Sequence, residues 1–225
     1  MTGTAAAIDF TQARFNMIEQ QIRPWDVLDQ RVLDVIASTP REAFVPEKYQ
    51  TTLAFSDISI PLEHHQYMLP PKLEGRLLQS LNLRPTDNVL EIGTGSGYLT
   101  ACLARLSGQV LSLDIYPDFT TSAERKLAAQ GINNVTLQTQ DAANGWDAEA
   151  QFDAIVVTGS LPVLHEGFHR SLTLNGRLLV IVGTPPIMEA LLITRVGPDQ
   201  WARESLFDTS IPPLVNAPGP AAFRF

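Results

Sequence analysis

Apolar residues spaced three and four apart mark two helices at the start of the chain. Phe10, Ala13, Met17 and Ile18 share one side of a segment that Asp9 can cap, and Val32, Leu33, Val35 and Ile36 repeat the pattern behind Asp29. Pro40, Pro46, Pro61, Pro70 and Pro71 then break up a stretch without a steady period, so 56–71 reads as an irregular loop. Loops of that length without regular structure are often functional. Beyond Pro71 the pattern becomes regular. Helices are expected over 73–83, 98–106, 119–129 and 164–172, and strands over 88–92, 110–113, 135–137, 154–157 and 178–182. That alternation predicts an α/β fold with a doubly wound, mostly parallel sheet. The segments 190–196 and 201–207 flank Gly197-Pro198-Asp199, a turn sequence, and close the sheet as a terminal antiparallel strand pair. No internal repeat is present, and the tail over 212–220 is rich in proline.

Composition narrows the function classes. A hydrophobic fraction of 44% with 18% charged residues is that of a folded chain, and 225 residues fit one α/β domain. Sixteen Lys and Arg against 24 Asp and Glu give a net charge of −8, which argues against a nucleic-acid partner. The longest apolar run, over 178–182, is strand-length and far short of the roughly 18 residues that span a bilayer, so no membrane partner is expected. The first eight residues lack the basic and apolar regions of a secretory signal, so the expected location is cytoplasmic. The single cysteine, Cys102, excludes intrachain disulfides and thiolate metal clusters, and its place in an apolar helix is that of a small buried residue.

The most informative stretch runs from Val89 through Glu91, Ile92, Gly93, Thr94, Gly95, Ser96 and Gly97 to Tyr98, between the first expected strand of the sheet and the next helix. A tight strand-to-helix turn needs residues without Cβ, for its backbone angles and for close approach of a ligand. In an open parallel sheet this turn lies at the carboxyl end of the strand, where ligands bind. Dinucleotides and S-adenosylmethionine both use such a crevice. The dinucleotide pattern wants a third glycine where this chain has Tyr98. Glu91 places a carboxylate near the turn, which suits an ammonium better than a phosphate. Asp114, 21 residues after Gly93, falls at the end of the second strand, where a carboxylate can accept two ribose hydroxyls of either ligand. Asp141 and Ala142 follow the next strand, where a carboxylate can take the exocyclic amine of adenine and a backbone amide a ring nitrogen.

The set of Glu91, Gly93, Gly95, Gly97, Asp114 and Asp141 resembles the cofactor motifs of class I S-adenosylmethionine-dependent methyltransferases. The resemblance extends to the protein-L-isoaspartate O-methyltransferase family and runs over most of the chain. It is carried by Val32-Leu33, by Pro40-Arg41-Glu42-Ala43-Phe44-Val45-Pro46, by Asp57 with Ile60-Pro61-Leu62, and by the stretch Glu91 to Tyr98. Asp141 with Gly145-Trp146, Phe152-Asp153-Ala154-Ile155-Val156-Val157-Thr158 and Val182-Gly183 continue it in order. The resemblance implies a Rossmann-like fold, S-adenosyl-L-methionine as cofactor, and methylation of the α-carboxylate of L-isoaspartyl residues in damaged proteins. The expected cofactor-binding residues are Glu91, Gly93, Thr94, Gly95, Ser96, Gly97, Asp114, Asp141 and Ala142. Glu91 and the turn would hold the methionine part, Asp114 the ribose and Asp141 the adenine.

One loop departs from the family pattern Leu-Pro-Ile-Gly-x-Gly-Gln-Thr-Ile-Ser-x-Pro. This chain reads Ile60-Pro61-Leu62-Glu63-His64-His65-Gln66-Tyr67-Met68-Leu69-Pro70-Pro71, with both glycines replaced, Tyr67 at the threonine position and Leu69 at the serine position. No catalytic hydroxyl carries over at Leu69. An ionised carboxylate is already a nucleophile, so the demand on the protein is positioning. For a hydroxyl acceptor, His64 or His65 can serve as a base near neutral pH, and Tyr67 is a third candidate in the loop. The acceptor is expected to be a protein or peptide carboxylate, with a small-molecule acceptor as the alternative within the family. A non-catalytic S-adenosylmethionine-binding protein is the alternative from another class.

His165-Glu166-Gly167-Phe168-His169 also matches a zinc-hydrolase pattern, with Glu189 20 residues beyond His169. Gly167 weakens a helix by roughly 0.5–1 kcal/mol relative to alanine, and a strand and Pro185-Pro186 intervene before Glu189. The segment is therefore expected to be the polar face of a helix over 164–172, with no metal site. The whole chain, 1–225, is expected to be a monomeric methyltransferase domain. In it, 1–72 is an N-terminal helical cap whose loop covers the acceptor site, and 73–225 is the cofactor-binding core.

Overall fold

Asp9 caps the first helix as its position predicts: its carboxylate accepts the Thr11 and Gln12 N–H groups at 3.0 Å, and α1 (Phe10–Met17) follows. These features come from a computed structural model that describes residues 8–146 and 150–219. The chain divides into two compact units, Met1–Gln79 and Ser80–Phe225.

In the first unit α1 runs into a π-helical turn over Ile18–Ile22 and a 3-10 turn over Arg23–Trp25, which ends where Asp26 takes φ 58°. Asp29 then caps α2 (Gln30–Ser38) by accepting the Arg31 N–H at 2.9 Å. Met17, Ile18, Ile22, Val32, Leu33 and Ile36 are buried, so the apolar sides read from the sequence face inward. The expected irregular loop contains a small hairpin. β1 (Ile60–Pro61) pairs antiparallel with β2 (Tyr67–Met68) around a 3-10 turn over Glu63–His65. Its ends are held by one buried side chain. Arg41 donates from Nε to the Ala54 carbonyl at 2.9 Å, from Nη2 to the Leu69 carbonyl at 2.7 Å, and pairs through Nη1 with Glu74. Burial drives the Glu74 carboxyl up, to about 7, against the pull of Arg41. Glu74 belongs to α3 (Pro71–Leu81), which starts on a proline and stops before Asn82 at φ 44°, two residues earlier than expected.

In the second unit, seven strands form one sheet among the described residues. They are β3 (Asn88–Ile92), β4 (Gln109–Asp114), β5 (Val135–Thr139), β6 (Phe152–Leu161), β7 (Leu172–Thr184), β8 (Ile187–Gly197) and β9 (Gln200–Thr209), in the order β5-β4-β3-β6-β7-β8-β9. Pairings from β5 through β7 are parallel, and β7-β8 and β8-β9 are antiparallel. The doubly wound, mostly parallel sheet and its terminal antiparallel pair are thus as predicted, with longer strands. α4 (Tyr98–Leu106) joins β3 to β4, and α5 (Pro117–Ala129) joins β4 to β5. Alternate residues Leu90, Ile92, Leu113, Ile155, Val157, Leu178, Val180, Leu191 and Ile193 build the core on one face. The intervening residues of the central strands, Val89, Glu91, Ser112, Ala154 and Val156, are also buried, as a parallel sheet covered on both sides requires.

The helix expected over 164–172 does not form. The connection from β6 to β7 is made of turns, with only a 3-10 turn over His169–Ser171. Leu164, Phe168 and Leu172 are four apart and imitate a helical stripe, yet Phe168 is a core residue of an irregular segment, Leu172 is a core residue that opens β7, and Leu164 packs against that core. Two glycines explain the path. A Cβ on Gly167 would fall on the Asn144 carbonyl, and one on Gly145, at φ 106°, would fall on the Gly167 carbonyl, so two backbones touch where a helix would need room. Gly167→Ala is therefore expected to lower stability by about 1–3 kcal/mol in urea denaturation. A helical segment would show the opposite sign, since alanine improves on glycine there.

Candidate functional site

The turn after β3 uses all three of its glycines in left-handed backbone, at φ 100° for Gly93, 50° for Gly95 and 84° for Gly97. Gly93 is required for a second reason. A Cβ there would occupy the space of the Thr158 hydroxyl, which bonds to the carbonyls of Ile92 and Gly93 at 2.9 and 2.8 Å. The turn is tied to the next strand by the Gly93 and Thr94 N–H groups, which donate to the Leu113 carbonyl at 2.7 and 3.2 Å.

Glu91 lies beneath this turn with no exposed surface. Its Oε2 accepts the Thr100 hydroxyl of α4 at 2.5 Å and the Ser112 hydroxyl of β4 at 2.6 Å, and Ser112 in turn bonds to the Thr94 hydroxyl at 2.6 Å. The expected ligand carboxylate is thus a wall of the turn rather than part of its surface. Ser96 is also buried, and the Lys126 ammonium of α5 donates to its carbonyl at 3.2 Å. Burial lowers the Lys126 pKa, and nearby Arg125 lowers it further.

Asp114 ends β4 with 7% of its surface exposed. Its Oδ2 accepts the Gly95 N–H at 2.9 Å and its Oδ1 the Tyr116 N–H at 3.0 Å. Burial raises its pKa, and the two N–H groups pull the other way. Its backbone carbonyl accepts the Gln140 N–H at 2.8 Å and so draws the segment after β5 beside it. There Asp141 is exposed, its Oδ1 accepts the Ala143 N–H at 3.0 Å, and Ala142 is buried. The structure therefore brings Gly93 to Gly97, Asp114, Asp141 and Ala142 to one end of the sheet, linked by hydrogen bonds. Such a cluster of backbone turns with two carboxylate acceptors suits a ligand with hydroxyl and amino donors.

A sequence model of the family described as protein-L-isoaspartate(D-aspartate) O-methyltransferase matches residues 12–206. The chain belongs to this family. It is 37% identical over 204 residues to a protein-L-isoaspartate O-methyltransferase of Rhodopseudomonas palustris, covering 90% of this chain and 93% of that one. A Gloeobacter violaceus protein of the same name is 35% identical over 200 residues, covering 89% and 97%. Among solved structures, a Plasmodium falciparum protein described as a protein-L-isoaspartate O-methyltransferase in complex with S-adenosyl-L-homocysteine superposes with a TM-score of 0.76. It is 20% identical and covers 93% of this chain and 99% of its own, which shows the fold.

Against the family pattern, the loop of the first unit replaces both glycines. His64 and His65 take φ 56° and 57°, and His65 stands at a family glycine position, so a left-handed turn forms here without glycine. His64, His65 and Tyr67 are exposed side chains of the β1-β2 hairpin, while Met68 and Leu69 are buried. The hairpin belongs to Met1–Gln79 and the glycine turn to Ser80–Phe225.

The zinc-like segment is organised for packing. His165 Nδ1 accepts the Gly167 N–H at 3.2 Å, which leaves Nε2 to donate to the Ala143 carbonyl at 3.0 Å. Glu166 is solvent-exposed beside Arg170 at 3.8 Å, and His169 packs edge-on against Trp201 with burial lowering its pKa. Among the described residues no group of three or more His, Cys, Asp or Glu side chains is placed to share a metal ion.

Sequence reasoning missed Thr100, Ser112 and Thr158, which brace the turn. Their signal was polar residues at otherwise apolar, inward-facing positions of α4 and β4, and at the end of β6. Glu91→Gln is expected to lower stability by about 1–3 kcal/mol in urea denaturation, because an amide accepts the two hydroxyls less well and brings its own donors into the interior.

Proposed function

We propose that this chain is an S-adenosyl-L-methionine-dependent O-methyltransferase that esterifies the α-carboxylate of L-isoaspartyl residues in damaged proteins. One observation carries the reading: in a chain of this family, the glycine turn after β3 is bonded to the Asp114 carboxylate, with Asp141 alongside. The residues present fit the nucleoside. Asp114 and Asp141 retain acceptor capacity after their backbone bonds, since each carboxylate oxygen has two lone pairs. In this assignment Gly93, Thr94, Gly95, Ser96 and Gly97 line the methionine end, with Glu91 bracing them from below. Asp114 accepts the ribose hydroxyls, and Asp141 and Ala142 face the adenine. When bound, the cofactor supplies an electrophilic methyl group and takes back the C–S electron pair.

The acceptor's own carboxylate is the nucleophile and is ionised at neutral pH, so the protein needs no base and its contribution is alignment and exclusion of water. Leu69 at the family serine position therefore acts on acceptor binding rather than on bond-making. The chain acts as one methyltransferase unit over 1–225, as a cytoplasmic monomer without a nucleic-acid partner. The net charge of −8 and a single, buried cysteine support that setting. The exposed Tyr67 and the buried Leu69 favour, as a second reading, a member of the family with a different acceptor.

Radiolabelled methyl transfer tests the reading. Base-labile label is expected on an isoaspartyl peptide and not on its aspartyl twin. Cofactor binding without that label would move the assignment to another acceptor. Asp114 adds a pH signature. Its carboxylate accepts hydroxyls most strongly when ionised, and burial raises its pKa above the ordinary 3.8, so protons compete with the ligand as the pH falls through that raised value. Calorimetric affinity for adenosylhomocysteine should fall toward acid pH. Asp114→Asn should weaken binding by about 10–100-fold at neutral pH and flatten the pH dependence.

A further inference from the structure

We infer that the C-terminal segment 211–217 is a further wall of the nucleoside site, and that Asn216 is the positioning residue that makes Asp141 selective for a 6-amino purine. The inference rests on the cofactor reading above and adds the residue that sets its base preference.

The segment is fixed at the end of β6. The Ser160 N–H donates to the Pro212 carbonyl at 2.9 Å, the Leu214 N–H donates to the Ser160 carbonyl at 3.0 Å, and the Ser160 hydroxyl donates to the Ile211 carbonyl at 3.1 Å. A register shift in β6 between Val156 and Ser160 accompanies this pairing. Leu214 fills the space that a side chain at Gly159 would take, and its Cδ2 lies 4.0 Å from where a Cβ on Gly93 would be. The segment thus runs against the ends of both strands that flank the glycine turn.

Beyond Leu214 the chain turns back, with the Ala217 N–H donating to the Leu214 carbonyl at 3.1 Å, and Asn216 takes φ 64°. From that left-handed position its Nδ2 donates to Asp141 Oδ2 at 2.7 Å. With Ala143 N–H on Oδ1, both oxygens of Asp141 are tethered and the side chain is held in one rotamer on an exposed loop. A carboxylate is acceptor-only, so a fixed one rewards an exocyclic amine and repels a 6-oxo group. A mobile one would turn away from the oxo group and would lose entropy when it bonds the amine. Asn216 therefore converts a surface aspartate into a discriminating one.

The test is calorimetric binding of S-adenosylhomocysteine and S-inosylhomocysteine, which differ in the 6-amino and 6-oxo groups. Asn216→Gly keeps the left-handed backbone and removes the donor, and Asn216→Asp keeps the shape and replaces the donor with a second carboxylate. Circular dichroism melts report on folding. The original protein should prefer the adenosyl ligand, and both variants should cut that preference by about three- to tenfold. In an Asp141→Ala background, removing the Asn216 side chain should change nothing. Equal weakening of both ligands, an unchanged preference, or tighter adenosyl binding in Asn216→Gly would overturn the inference while leaving the cofactor reading intact. Absence of binding of either ligand to the original protein would overturn the cofactor reading itself.

Discussion

The second unit depends on a carboxylate buried in the middle of its sheet. Taking Glu91 out of water is unfavourable unless it is hydrogen-bonded, and Thr100 and Ser112 supply two such bonds, from α4 and β4, to its Oε2. A serine hydroxyl has one hydrogen. Ser112 donates its own to Glu91, and so its lone pair accepts from Thr94. One buried side chain orients the hydroxyls around it, and the last of these hydroxyls belongs to the turn. The order continues outward: Gly95 of the turn donates to Asp114, and the Asp114 carbonyl holds Gln140 beside Asp141. The site is the exposed end of a hydrogen-bonded chain that starts in the core.

This construction explains which parts were legible in the sequence. The glycine turn could be read because its backbone angles admit few other residues, and the strands could be read because alternate positions are apolar on one face of the sheet. Asp114 could be placed because it ends a strand. The role of Glu91 could not, since a carboxylate two residues before the turn reads as a ligand until Thr100 and Ser112 are seen to surround it. The segment over 164–172 failed for a related reason. Spacing of four is shared by a helix and by a looped chain that returns its apolar residues to the same face, and the deciding contacts between Gly145 and Gly167 are long-range. Asn216 carried no signal at all, because its partner is 75 residues away.

The loop of the first unit obeys a different constraint. Arg41 ties its ends through the carbonyls of Ala54 and Leu69, and every residue type offers a carbonyl. Its left-handed turn includes His65, where a non-glycine residue costs about 1–2 kcal/mol. Backbone tethers of this kind hold a shape without specifying the side chains it presents. Here the hairpin forms with Tyr67 at the threonine position, exposed to solvent, and with a buried Leu69 at the serine position.

The contrast between the two regions bears on how far each can drift. Around the glycine turn the side chains are themselves the structure: changing Glu91, Ser112 or Thr158 disturbs the bonds that hold the turn, so cofactor chemistry and stability are coupled. In the β1-β2 hairpin the side chains at 64, 65 and 67 are exposed, and Arg41 holds the loop through the backbone carbonyls of Ala54 and Leu69. Substitutions at such exposed positions have little effect on folding. Selection for stability alone would therefore retain the glycine turn and the side chains that brace it, while leaving the exposed positions 64, 65 and 67 open to change.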